Sequence, residues 1–167
     1  MTKGNLPHEE LMKANLAAMT GQVAAVSISH RKGQKKTNLS ACELLQGEGF
    51  RGDAHAGDWH RQVSLLAMES IARIRQLGLK VAPGDFAENI TTTGLKLWEL
   101  PLGARLAVGS KALLEVTQIG KECHDRCAIY QQVGDCVMPR EGIFARVLRG
   151  GTVRPGDNIR ILSEEEP

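Results

Sequence analysis

The sequence has no apolar run approaching the length needed to cross a bilayer. Its first residues, "MTKGNLPHEELMKANLAAMTGQV", hold no apolar core of the kind a secretory signal requires. Net charge is low, with 21 Lys and Arg against 19 Asp and Glu. Nucleic-acid binding needs a clustered basic face that meets many phosphates. The clearest basic run, "HRKGQKK" (His30 to Lys36), reads instead as a solvated loop. There is no internal repeat, no low-complexity linker and no sign of a second domain. For a chain of 167 residues these absences predict one soluble, cytoplasmic domain, with neither membrane nor nucleic acid as partner. A structural disulfide is not expected in a reducing cytosol, so the four cysteines are read as packing, metal-binding or reactive groups.

Glycine, by contrast, is plentiful, and it precedes aspartate at Gly52-Asp53, Gly57-Asp58, Gly84-Asp85, Gly134-Asp135 and Gly156-Asp157. Glycine supplies positive φ and aspartate bonds its neighbouring backbone, so these pairs mark turns. Short β-prone runs lie between them: "QVAAVSIS", "QVSLL", "NITTT", "ARLAV", "ALLEVTQI" and "NIRIL". "ARLAVGSKALLEV" predicts a hairpin turning at Gly109-Ser110. "LAMESIARIRQLG" departs from this pattern, with Met68, Ile71, Ile74 and Leu77 at helical spacing and Gly78 as a C-terminal stop. "EGIFARVL" reads as a second short helical or irregular piece. Residues 1–19 read as an N-terminal extension with a short helix in "HEELMKANLAAM", and 20–167 as the domain proper. The fold class is mainly β: a barrel of short, mostly antiparallel strands with one or two peripheral helices.

Three stretches carry chemistry. In "GKECHDRCAIYQQVGDC" three of the four cysteines, Cys123, Cys127 and Cys136, flank His124. Zinc could take these four ligands. However, adjacent Cys123 and His124 diverge, and zinc ligands usually pair two to four residues apart in separated knuckles. A reactive thiol fits better: Lys121, His124 and Arg126 surround Cys127 with positive charge, which favours the thiolate. A thiolate can attack, carry sulfur as a persulfide or bind a soft metal, and these remain open. In "GFRGDAHAGDWHRQVSLL", Arg51, Asp53, His55, Asp58, His60 and Arg61 fall among glycines before a strand. That is either a solvated glycine loop or a clamp in which Arg meets phosphate or carboxylate. In "GDFAENITTTG", Glu88 and Asn89 either cap a turn or form a polar clamp at a strand start.

Together the three stretches resemble the MOSC domain, named for the C-terminal domain of molybdenum cofactor sulfurases, and in particular its small stand-alone bacterial members. The resemblance runs from Gly21 to Leu162 and rests on five landmarks in order: "GDAHAGDWHRQVSLL", "GDFAENITTTGL", "LPLGARLAVG", "EVTQIGKECHDRC" and "GIFARVLRGGTVRPGDNI". It implies a β-barrel of the pyruvate-kinase-barrel type and a characteristic cysteine, which falls here at Cys127. In related amidoxime-reducing enzymes that cysteine ligates molybdenum in a pterin cofactor; in the sulfurases the domain receives sulfur and places it on the cofactor. Two departures stand out. The family's usual Gly-Glu-Asn reads Ala87-Glu88-Asn89 here, and Cys123 and Cys136 follow the stand-alone subgroup rather than the reductases. Neither the barrel domain that precedes MOSC in the reductases nor a built-in pyridoxal phosphate module fits within this length.

The resemblance therefore implies a molybdenum (or tungsten) pterin cofactor-binding protein that acts in cofactor sulfuration, maturation or delivery. Cys127 is its reactive thiol or metal ligand, with Asp53, His55, His60, Arg61, Glu88, Asn89, His124 and Arg126 around the cofactor. Cys123 and Cys136 are secondary thiols. Expected partners are an external sulfur donor, such as a cysteine desulfurase, and a client molybdoenzyme or cofactor-biosynthesis protein. Two alternatives stand beside it: a molybdenum-dependent reductase of N-hydroxylated compounds, and a non-catalytic zinc-stabilised binding module.

Overall fold

A computed structural model describes residues 7–11, 19–121, 128–134 and 136–163. A helical turn at 8–11 is the described part of the extension. The chain then runs through β1 (Thr20–Ile28), β2 (Thr37–Leu39), β3 (Cys42–Leu45), β4 (Gly49–Phe50), β5 (Val63–Ala67), helix α1 (Met68–Gln76) and β6 (Ile90–Thr93). A 3₁₀ turn at Leu97–Glu99 leads to β7 (Arg105–Val108), β8 (Ala112–Ile119), helix α2 (Ala128–Val133) and helix α3 (Met138–Glu141). The last strands are β9 (Ile143–Arg149), β10 (Gly151–Val153) and β11 (Asn158–Ile161).

The main sheet has the order β11-β7-β8-β9-β5-β6-β1-β2, and β1 also pairs with β11 through Thr20–Gln22. That second pairing closes seven strands into a mixed barrel, leaving β2 as an outrigger and β10-β3-β4 as a small side sheet. Closure removes the unpaired edges that a flat sheet would expose. Every pairing in the barrel is antiparallel except β5 with β6, which α1 connects as a crossover. Because β5 and β6 run parallel and β1 runs against β6, the loops entering β5 and β6 meet the C-terminal end of β1. This topological fact assembles the site.

The barrel interior is aliphatic, with Leu65, Ile90, Leu106, Leu114, Ile143 and Ile159 all fully buried. Each such side chain stabilises the fold by roughly 1.5–3 kcal/mol. A second cluster lies outside the barrel wall, where α1 lays Ile71 and Ile74 against Leu66, Phe86, Val137, Met138 and Phe144. The helix has the predicted spacing and ends at Leu77, with Gly78 at φ +95° donating to the Arg75 carbonyl. The predicted hairpin is also present, with Val108 paired to Ala112 across Gly109 at φ +64°.

"EGIFARVL" is corrected: it is not helical but forms β9, at the centre of the barrel wall. Ile143, Ala145 and Val147 face the interior while Phe144 joins the outer cluster. A strand buried on both faces loses the polar alternation that would mark it.

Candidate functional site

At the end of β1, the backbone N–H of Ser29 donates to Asp53 Oδ1 at 3.1 Å. The ammonium of Lys36, just before β2, donates to the same oxygen at 2.7 Å, and both side chains are wholly buried. Lys36 Nζ has two further neighbours, Ser29 Oγ at 3.1 Å and His55 Nδ1 at 3.0 Å. An ammonium has three protons and no lone pair, so these three contacts use all it has. Burial alone would raise the Asp53 pKa, but Lys36, the Ser29 N–H and the nearby Asn89 amide outweigh it and hold the carboxyl below its ordinary value. For His55, burial comes first and the charges of Lys36, Lys32 and Lys121 add to it; against the pull of Asp53 they lower its pKa to about 4. His55 is therefore neutral at pH 7.

Trp59 stands between the two histidines. Its ring stacks on His55 at 6.4 Å between centroids and meets His60 edge-on at 5.9 Å, while its indole N–H donates to the His55 carbonyl at 2.7 Å. Lys32 Nζ lies 4.8 Å over the same indole. This intervening ring keeps His55 and His60 from converging on one ion. Among the described residues, no group of three or more His, Cys, Asp or Glu side chains is arranged to hold a metal.

Gln118 on β8 gathers the next pair. Arg61 Nε donates to its Oε1 at 3.0 Å, and His60 Nε2 lies 2.9 Å from the same oxygen. Since arginine can only donate, that atom is the amide oxygen, and His60 Nε2 must donate as well. The Gln118 amide then donates to the Gly120 carbonyl at 2.8 Å. The Arg61 guanidinium rests 5.0 Å from the Phe144 ring centre. Its terminal N–H groups have no partner among the described residues, so the fork is held in place with donors to spare. His60 also lines a groove of about 500 Å³ with Asp58, Trp59, Gln62, Thr117 and Arg146.

Glu88 and Asn89 are completely buried. Glu88 Oε1 accepts the Gly84 N–H at 2.7 Å, and Thr91 Oγ1 donates to Oε2 at 3.3 Å. Burial nevertheless dominates and pushes the Glu88 pKa up to about 7. The Asn89 side-chain oxygen accepts from the N–H and hydroxyl of Ser64 at 3.0 and 3.1 Å, and its amide donates to the Ser27 carbonyl at 3.0 Å. It thus pins β1, β5 and the start of β6 together. Gly84 sits at φ +93°, and a side chain there would overlap the Lys36 carbonyl oxygen. The loop before β6 is thereby seated directly on Lys36.

The "GDAHAGDWHR" and "GDFAEN" stretches, far apart in sequence, therefore meet through Lys36 and Asp53. Lys121 is close enough to act electrostatically on His55. Cys123, His124, Arg126 and Cys127 lie outside the described residues. Cys136 is buried in the outer cluster with Val137 and Met138. Cys42 lies apart on β3, its thiol pKa pushed up mainly by burial. Sequence reasoning missed Lys36, Ser29 and Gln118. "HRKGQKK" is a solvated run at Arg31, Lys32 and Lys35, but Lys36 within it is buried.

A closed mixed barrel bearing such a polar, donor-rich recess defines a small β-barrel protein. The MOSC domain model matches residues 52–160, and the chain belongs to the MOSC domain family. The structure is similar to that of the YuaD protein from Bacillus subtilis, at 21% identity and a TM-score of 0.74, covering 88% of this chain and 98% of that one. It is also similar to YiiM from Geobacillus stearothermophilus, at 20% identity and a TM-score of 0.63, covering 85% of this chain and 75% of that one. A third likeness is to YiiM from Escherichia coli, at 19% identity and a TM-score of 0.59, covering 87% and 72%. These likenesses speak to the fold. No curated protein matches. Among the described residues no helix is long and apolar enough to cross a membrane.

Proposed function

We propose that the protein binds an anionic molybdenum or tungsten pterin cofactor and acts in its sulfuration, maturation or delivery, with Cys127 as the reactive thiol. The observation that carries this reading is the row of donor groups along the loop from His55 to Arg61. His55, His60 and Arg61 are each held by internal bonds, and Lys32 and Lys121 add positive charge. The donor set fits such a ligand: a preorganised guanidinium with free N–H groups suits phosphate or a polar ring edge better than it suits a cation. When bound, the group supplies a soft metal centre, for which a thiolate is a far better ligand than a hydroxyl.

The chain's own residues divide the work. Arg61, His60 and His55 contact the ligand. Asp53, Glu88 and Asn89, whose side chains are engaged internally, hold the two loops in place. Lys121 precedes the segment with Cys123, His124, Arg126 and Cys127, and Gln118 ties the Gly120 carbonyl beside His60 and Arg61. Positive charge from His124 and Arg126 favours the Cys127 thiolate. That thiolate attacks the outer sulfur of a persulfide on an external donor such as a cysteine desulfurase, breaking that S–S bond, releasing the donor's thiolate and leaving the persulfide on Cys127. A client molybdoenzyme or cofactor-biosynthesis protein takes the product. Cys136, buried among apolar side chains, contributes packing more than reactivity.

The test is to express single Cys→Ser variants in a host that makes the cofactor, then measure bound molybdenum and tungsten, oxidised pterin fluorescence and persulfide mass. Cys127→Ser should keep the fold and lose both cofactor and persulfide, while Cys42→Ser should behave as the parent. Loss confined to Cys123→Ser would move the assignment by one thiol. Zinc in place of molybdenum, with unfolding of the cluster variants, would replace the reading with a structural metal site. Turnover of an N-hydroxylated compound with a reduced donor would make the protein a reductase.

A further inference from the structure

We propose that Lys36 is a positioning residue that fixes His55 as its Nε2–H tautomer, so that this ring acts as a hydrogen-bond donor to an anionic ligand and not as a metal ligand or a base. The logic rests on proton counting. Lys36 Nζ lies 3.0 Å from His55 Nδ1, and an ammonium can only donate. Nδ1 must therefore be the unprotonated nitrogen, and in a neutral ring the proton is then on Nε2.

The rest of the cluster makes this arrangement rigid. Lys36 is itself held by Asp53 Oδ1 and Ser29 Oγ, and the Ser29 hydroxyl donates in turn to the Arg31 carbonyl at 3.0 Å. Asp53 Oδ2 is 3.9 Å from Nδ1, too far to hydrogen-bond, and it accepts the His55 backbone N–H at 3.2 Å instead. Stacking on Trp59 fixes the ring plane. The ring is about a quarter exposed (24%), and its Nε2 has no partner among the described residues. The charged groups acting on it are Lys36, Lys32 and Lys121 against Asp53, and burial first, with the three cations, keeps it neutral. A neutral N–H donor flanked by lysines suits an oxyanion and repels a cation.

The identity of the anion rests on the function proposed above; the tautomer does not. The two are therefore measured separately. On uniformly ¹⁵N-labelled protein near neutral pH, long-range ¹H–¹⁵N correlations report each ring nitrogen as protonated or bare. His55 should show a bare Nδ1 and a protonated Nε2. In Lys36→Met, the bare nitrogen loses its donor and should become protonated toward Asp53. Lys36→Arg, which keeps a cationic donor, should retain the parent pattern. Titration with inorganic phosphate should shift the His55 Nε2 signal saturably, and His55→Ala should weaken that binding by about tenfold, the loss of one hydrogen bond to a charged group. Zinc should leave the His55 signals in place. A bare Nε2 in the parent protein overturns the proposal even if Lys36→Met fails to fold, and so does a zinc-induced shift of His55. A protonated Nε2 that phosphate does not move would keep the positioning role of Lys36 but refute the anion contact.

Discussion

Replacing Glu88 with Gln asks whether the buried carboxyl at the start of β6 is neutral at physiological pH. In the unfolded chain this group ionises near 4.5, whereas burial in the native state pushes its pKa to about 7. The N–H groups of Gly84 and Phe86, its own N–H and the Thr91 hydroxyl all pull the other way, but they do not overcome the loss of solvent. Between those two values the native state binds one more proton than the unfolded state, so stability falls as pH rises through the window. The window is 7 − 4.5 = 2.5 pH units, and at about 1.4 kcal/mol per unit the full loss is roughly 3 kcal/mol, complete at about pH 8. Glutamine reproduces the protonated acid. Its carbonyl oxygen can accept the Gly84 N–H and its amide can donate to Thr91 Oγ1.

The parent curve alone would mislead. His55 has a depressed pKa, so the stability it contributes is present above its ordinary 6.5 and lost as pH falls toward 4. That slope opposes the slope from Glu88 through most of the same window, and Asp53, held low, adds to the loss on the acid side. The informative quantity is the difference between Glu88→Gln and parent, because His55 and Asp53 cancel from it. Urea unfolding followed by tryptophan fluorescence at intervals across the window gives that difference directly. It should be small below about pH 4.5 and grow to roughly 3 kcal/mol in favour of Gln by about pH 8. A flat difference, or a variant less stable at the alkaline end, would show that the backbone N–H groups hold Glu88 ionised.

Ala87 is the one non-glycine among the described residues with positive φ, at +61°. Ala87→Gly relieves about 1–2 kcal/mol of left-handed strain and restores about 0.4–1 kcal/mol of unfolded-state entropy, so stability should rise by up to about 1.5 kcal/mol. A fall in the urea midpoint would refute that reading. Asn89→Ala leaves the Ser64 N–H and the Ser27 carbonyl without their partner and should cost about 2–4 kcal/mol by the same assay. A loss under about 1 kcal/mol would mean that water replaces the amide. Asp53→Asn strands the buried Lys36 ammonium and should cost about 3–5 kcal/mol near neutral pH, with Lys36→Met/Asp53→Asn recovering part of the loss. No recovery in the double variant would show that the pair is not coupled.

Much of the fold was legible because its signals are local. Gly109 fixes the β7–β8 turn by its own φ, and the spacing of Ile71 and Ile74 marks the buried stripe of α1 without reference to anything distant. β9 was illegible for the opposite reason: its pattern depends on two different cores, one on each face, and only the assembled barrel shows that both exist. The site divides in the same way. Asp53, His55, His60 and Arg61 are crowded into one glycine-rich loop, and so are visible as a group. Lys36 lies 17 residues from Asp53, among neighbours that are exposed, and nothing in "HRKGQKK" distinguishes it. Its burial follows from the meeting of β1, β2 and the loop before β6, a property of topology rather than of the run.

That difference separates two kinds of residue within the same motif. Asp53, Glu88 and Asn89 have their polar atoms engaged by Lys36, Ser29, Gly84, Thr91, Ser64 and Ser27. Such residues set loop positions, and their removal should register first as lost stability. His55, His60 and Arg61 are held on one side and keep donors or a free nitrogen on the other. Removal of His60 or Arg61 should leave the unfolding free energy within about 1 kcal/mol of the parent and register as lost ligand affinity, whereas removal of His55 also leaves one buried Lys36 N–H without its acceptor. A motif read only as a string gives both kinds equal weight. The hydrogen-bond count sorts them, because a side chain with no unspent donor or acceptor has nothing left to offer a ligand.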